Sequence, residues 1–134
     1  MNRHRVFFGV AGLALAGALA LVAADLAAKL PPPSDKKGLT YEKDIKPIFE
    51  KSCIECHGPD KQKGRVRLDS LEATLKSGKG KAVVPGKSEE SLLVLSVARV
   101  TEDPDHHMPP EGKGEPLSKE QVGLIRAWID QGAK

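Results

Sequence analysis

Cys53-Ile54-Glu55-Cys56-His57-Gly58 holds the only two cysteines of the chain, three positions apart and followed at once by a histidine. Two thiols at this spacing on a helical turn reach the two vinyl groups of one porphyrin. The next residue then aims its imidazole at the iron from the proximal side, which makes C-x-x-C-H the pattern of covalent haem c attachment. Three other readings compete. Exported thiols often pair as a disulfide. A C-x-x-C pair can be a thioredoxin-like redox couple, but no βαβ pattern surrounds this one. The cysteines could also bind zinc with His57 and one of His106 or His107. The absence of a third cysteine, the adjacent histidine and the signs of export favour one covalent haem, with iron ligated by His57.

The opposite face of the iron needs a second donor. Met1 is the initiator, so Met108 is the one internal methionine. It lies in His106-His107-Met108-Pro109-Pro110, where flanking prolines stiffen the loop. A thioether suits haem iron, and a Met/His pair raises the reduction potential relative to two histidines. Methionine more often simply packs in a core, and His107 and His106 are rival ligands. Arg65 and Arg67 are candidates to fork onto haem propionates, although such residues are more often solvated. The lysines from Lys61 to Lys87 can steer a partner, but an ordinary soluble surface looks the same.

The chain outward from this motif is the size of one domain: 134 residues, 40% hydrophobic but only 4% aromatic, which suits a small core filled out by a flat apolar body. Residues 1–24 read as a signal peptide or N-terminal anchor. Arg3, His4 and Arg5 form a basic start, and an uncharged run spans 6–24. Val22-Ala23-Ala24 and Ala18-Leu19-Ala20 offer cleavage sites. The run is also just long enough to span a bilayer. No cysteine follows it, which reads against a lipoprotein anchor. Without Arg3 and Arg5 the formal charge falls from +3 to +1. No basic block alternates with aromatics, so nothing points to nucleic acid. Residues 25–39, with Pro31-Pro32-Pro33, read as a stiff polar linker, and 40–134 as the folded domain.

Within that domain Tyr41, Ile45, Ile48 and Phe49 share one helical face. Thr40 is a candidate cap, and Pro47 demands either a bend or a fresh start. Residues 52–69 read mostly as loop. Ser70 begins a short helix over 71–76, stopped by Gly78, and Ser88 is expected to cap a third helix with Glu89 and Glu90 in its first turn. After a loop over 101–117, Ser118 and Gln121 form a capping box for the last helix. Val122, Ile125, Trp128 and Ile129 face inward, and Gly132 ends it. Trp128 is expected in the core. The expected fold is all-α, with about four helices and long loops wrapped around one haem.

These stretches resemble the planctomycete-type cytochrome c domain, a small class I-like c-type cytochrome. The likeness runs through Asp44-Ile45-Lys46-Pro47-Ile48-Phe49, the C-x-x-C-H-Gly58 motif and Gly64-Arg65-Val66-Arg67-Leu68-Asp69-Ser70. It continues through Val84-Pro85-Gly86-Lys87-Ser88, Ser91-Leu92-Leu93 and His107-Met108-Pro109-Pro110. It ends at Ala127-Trp128-Ile129-Asp130-Gln131-Gly132-Ala133, so it covers about Tyr41 to Ala133. C-x-x-C-H alone occurs in many cytochromes; the Arg-Leu-Asp-Ser and Met-Pro-Pro stretches are more specific. The resemblance implies a small helical cytochrome c fold with Met108 opposite His57. In longer exported proteins this domain often precedes others, and functions belonging to those are not carried over here.

The function expected from these residues is electron transfer by Fe(II)/Fe(III) cycling, in the periplasm or an equivalent exported location. Other proteins serve as redox partners, and contact with a membrane arises only if 6–24 stays attached. No general base or nucleophile is singled out, so an enzyme is not expected. A small haem peroxidase using His106 or His107, or a haem-bearing sensor module, stands as the alternative.

Overall fold

The computed structural model describes residues 25–134; the segment read as a signal or anchor lies outside them. Among the described residues the elements are helical, with no strand and only one isolated bridge, between His57 and Gln62. None of their helices is long and apolar enough to cross a membrane. The all-α expectation therefore holds.

The first expected helix forms in two parts. Tyr41–Ile45 is a π-helical turn, with the Thr40 side chain accepting from the Lys43 N–H. Helix α1, Lys46–Ser52, starts afresh with Pro47 in its first turn. There the missing N–H has no intrahelical partner to lose, and the fixed φ of proline suits the start of a helix. All four apolar residues of the stripe, Tyr41, Ile45, Ile48 and Phe49, are buried. Helix α2, Ile54–His57, is a single turn inside the stretch read as loop. Helix α3, Leu71–Gly80, is capped by Ser70 and loses helical geometry from Ser77 onward, close to the expected stop.

Ser88 departs from its expected role. Helix α4, Leu92–Val97, starts four residues after Ser88, beyond the short turn Ser88–Glu90. The Ser88 N–H and hydroxyl both donate to the Asp130 carboxylate, each at 2.9 Å. Ser91, at the N-cap of α4, is also unavailable as a side-chain cap. Its hydroxyl accepts from the Val84 N–H and donates to the Lys87 carbonyl. Glu89 pairs with Arg126 and Glu90 with Lys87 instead of facing a helix N-terminus. Long-range partners have outcompeted local capping.

Helix α5, Lys119–Asp130, carries the expected Ser118/Gln121 capping box. It ends in a Schellman motif: Gly132 N–H donates to Ile129 O and Ala133 N–H to Trp128 O. Gly132 supplies the positive φ, +103°, that this ending requires. Val122, Ile125, Trp128 and Ile129 are buried as expected. Trp128 and Phe49 each lie about 6 Å from the Tyr41 ring, so the aromatics among the described residues gather in one place.

The stretch read as a linker lies against α5. Residues 25–29 are helical, and Leu30 is buried in the core. Arg126 donates to the Pro31 carbonyl, Ser34 N–H to Gly123 O, and the Gln131 amide to the Lys36 carbonyl. Of the three prolines, Pro31 thus presents its carbonyl to a side chain of the helix.

Candidate haem site

Cys53 sits at the joint between α1 and α2, with a non-helical backbone. Its N–H donates to Phe49 O at 2.8 Å, and its carbonyl accepts from Cys56 N–H at 3.1 Å and His57 N–H at 2.9 Å. Both thiols and the imidazole therefore belong to one backbone-bonded turn. Gly58 lets the chain leave that turn. A Cβ there would lie 2.6 Å from Ile54 O and 2.9 Å from its Cγ2, so no larger residue fits without a shift.

Beyond Gly58 the chain folds back along the turn. Leu68 N–H donates to the His57 carbonyl at 2.7 Å. The His57 Nδ1 lies 3.3 Å from the Val66 carbonyl oxygen. A carbonyl only accepts, so Nδ1 carries a proton, and in the neutral tautomer this leaves the lone pair on Nε2. The partner of His57 comes from a short extended stretch in which Leu68 is buried and Arg65 exposed. Ser77 fastens this stretch, its hydroxyl accepting from Arg67 N–H and donating to Arg67 O.

Cys53 and Cys56 are free thiols, half-buried. Burial pushes the Cys53 thiol up to about 12. Among the described residues no three His, Cys, Asp or Glu side chains gather as metal ligands.

Met108 is half-buried and packs against the core. Its N–H donates to the Ser96 carbonyl at 3.1 Å. The Arg99 guanidinium, just past α4, donates to the carbonyl of Pro109 at 3.1 Å. The preceding residues form a 3₁₀ turn, Pro104–His106, capped by the Asp103 side chain. His106 is exposed. The His107 Nε2 lies 3.2 Å from Thr101 O, so that ring is turned into its own loop.

Arg67 forks onto Asp69, with Nε and Nη2 at 2.6 and 3.0 Å from the two carboxylate oxygens. The guanidinium holds the Asp69 carboxyl below the usual carboxylate range. That fork is committed, while Arg65 is exposed at φ +59°. Trp128 is fully buried, its indole N–H donating to Lys134 O.

The model of the family described as Planctomycete cytochrome C matches residues 53–112, from the first cysteine to just past Met108. That match supports a planctomycete-type cytochrome c domain over this stretch. Comparison with curated proteins and with solved structures returned no match. A cytochrome c domain implies haem, and the donor chemistry fits one. It offers two uncrosslinked thiols on one turn, an imidazole whose Nδ1 is turned to a backbone carbonyl, and a thioether on a braced loop. Ile54, Val66, Leu75, Leu95 and Val100 pack on the core yet stay half-exposed. That is apolar surface which a flat apolar group can cover.

Sequence reasoning missed the Val66 carbonyl and both braces of the Met108 loop. The first had a signal: Arg65-Val66-Arg67-Leu68 alternates polar and apolar, the period of an extended segment. Ser96 and Arg99 had none, because neither spacing nor composition marks a backbone carbonyl that meets an N–H twelve residues on, or a side chain that reaches a carbonyl ten residues away.

Proposed function

We propose that this cytochrome carries a single haem c, joined by thioethers to Cys53 and Cys56, and transfers electrons outside the cytoplasm. In this reading His57 Nε2 and the Met108 sulfur are the two protein ligands of the iron. The carrying observation is the His57 Nδ1–Val66 O contact. It fixes the tautomer and the ring orientation that a proximal ligand needs, and such a partner also raises the basicity of the ligating nitrogen. When bound, the haem supplies a one-electron ferrous/ferric couple tuned by its axial ligands. Cys53 and Cys56 tether it at the protein surface, and His57 orients it. The Met108 loop, braced on α4, holds the second donor in place without a substrate pocket. The family match supports a carrier, and the basic start followed by the apolar run over 6–24 supports export. The partners are other redox proteins.

The test is intact mass together with a pyridine haemochrome assay on protein made with a haem-attachment system. One haem per chain is expected, lost in the Cys53→Ala/Cys56→Ala double variant. A processed chain with no added haem mass overturns the proposal. The same mass reports whether residues 1–24 are removed. Met108→Ala is expected to open the iron to imidazole and cyanide at low concentration. Equal binding by the parent protein and the variant overturns the Met108 assignment.

A further inference from the structure

Met108 is bracketed by two hydrogen bonds that lead to the same place. Its own N–H donates to the Ser96 carbonyl, in the last turn of α4. The carbonyl of the next residue, Pro109, accepts from Arg99, two residues after that helix ends. Arg99 itself sits at φ +58°, a conformation an arginine rarely adopts. Its backbone turns back through Val100 N–H to Leu95 O. A strained backbone at a half-buried arginine persists only when its surroundings fix it. Glu111 and Glu115 line the same open cleft as Arg99, yet Arg99 forms no ion pair with either. The guanidinium is spent on a backbone carbonyl instead.

From this the geometry points to Arg99 as a positioning residue for the Met108 thioether, acting through the Pro109 carbonyl. The inference rests on the reading of Met108 as an iron ligand. A proline supplies no N–H, so the backbone hydrogen bonds of the Met108–Pro109 segment run through the Met108 N–H and the two carbonyls. Ser96 takes the first and Arg99 one of the others. Removing the guanidinium leaves one backbone hydrogen bond, from Met108 N–H to Ser96 O, beside the packing of Met108 on the core, so the sulfur is held less firmly where a ligand must sit. A donor bearing charge makes the stronger kind of hydrogen bond, so its loss is felt about tenfold in the balance between bound and released methionine.

Four holoproteins test this: parent, Arg99→Gln, Arg99→Lys and Lys113→Gln. Lys113 is exposed in the same loop, so its variant removes the same charge without touching Pro109. The readouts are the methionine-to-ferric-iron charge-transfer band, the cyanide affinity of the ferric protein, and exchange of the Met108 amide with solvent. Arg99→Gln is expected to weaken the band, raise cyanide affinity about tenfold and speed amide exchange. Arg99→Lys, which keeps one charged donor, is expected to fall between it and the parent, and Lys113→Gln to match the parent. A parent without the band overturns the Met108 assignment itself. A parent with the band, joined by an Arg99→Gln variant with unchanged band and cyanide affinity, overturns the positioning role alone. If Arg99→Gln does not fold, Arg99→Lys decides: unchanged values at all three readouts overturn the role.

Discussion

The imidazole of His57 and the carbonyl of Val66 meet at 3.3 Å across a chain reversal of nine residues. A neutral imidazole has one proton, and this contact assigns it to Nδ1. The expected outcome in the reduced holoprotein is an observable, slowly exchanging His57 Nδ1 proton with a cross-peak to Val66 or Arg67. Rapid exchange of that proton with bulk water, with no such cross-peak, is the contrary result.

The turn that carries His57 tolerates only glycine after it. Introducing a methyl at Gly58 drives it into Ile54 O and Cγ2. Gly58→Ala is therefore expected to destabilise the domain by about 1–3 kcal/mol, the range for overpacking a fitted site. Denaturant unfolding reads this directly, and a midpoint equal to the parent's contradicts it. The slope with denaturant is expected to stay the same, because the surface exposed on unfolding does not change.

Arg126 is buried on α5 and spends its guanidinium on Ser88, Glu89 and Pro31. Among the described residues no buried side-chain polar atom lacks a partner. Arg126→Ala strips three acceptors at once, one of them the carbonyl that docks residues 30–36. A loss of about 2–4 kcal/mol is expected, more than a surface pair would give. Limited proteolysis is expected to cut first near Pro33 to Lys37 in that variant. Stability within a few tenths of a kcal/mol of the parent's overturns the view that this segment belongs to the folded unit.

What was legible in the sequence follows from the range of the interactions. Helix α5 could be read whole, because its cap, stripe and Gly132 ending are all local signals. The C-x-x-C-H motif was legible as a motif because its residues lie within five positions, and they form one backbone-bonded turn. Ser88 misled because its sequence context is that of an N-cap, while its actual partner, Asp130, is 42 residues away. The segment over 25–39 looked like a spacer because proline-rich composition reports stiffness and not contact. Its docking depends on Arg126 and Gln131 at the far end of the chain. For the candidate site the sequence marks the candidate donors, but not the hydrogen bonds beside them, from His57 to the Val66 carbonyl and from Arg99 to the Pro109 carbonyl.

Tyr41 couples the core to pH. Its ring is buried and its hydroxyl donates to Leu68 O at 2.7 Å, next to the stretch that faces His57. Burial pushes its pKa from 10.0 up to about 12, so the folded protein favours the neutral phenol. The sign follows from proton counting. Below pH 10 both states hold the proton and the stability is fully present. Between pH 10 and about 12 the unfolded chain releases it while the folded chain keeps it, so stability falls as pH rises, by at most about 1.4 kcal/mol per pH unit. Tyr41→Phe removes both the hydrogen bond and this titration. It is expected to be about 1 kcal/mol less stable at pH 8 yet to lose less on going to pH 11. Urea unfolding of parent and variant at the two pH values measures the difference. Parallel losses in both proteins are the outcome that contradicts a buried, neutral Tyr41.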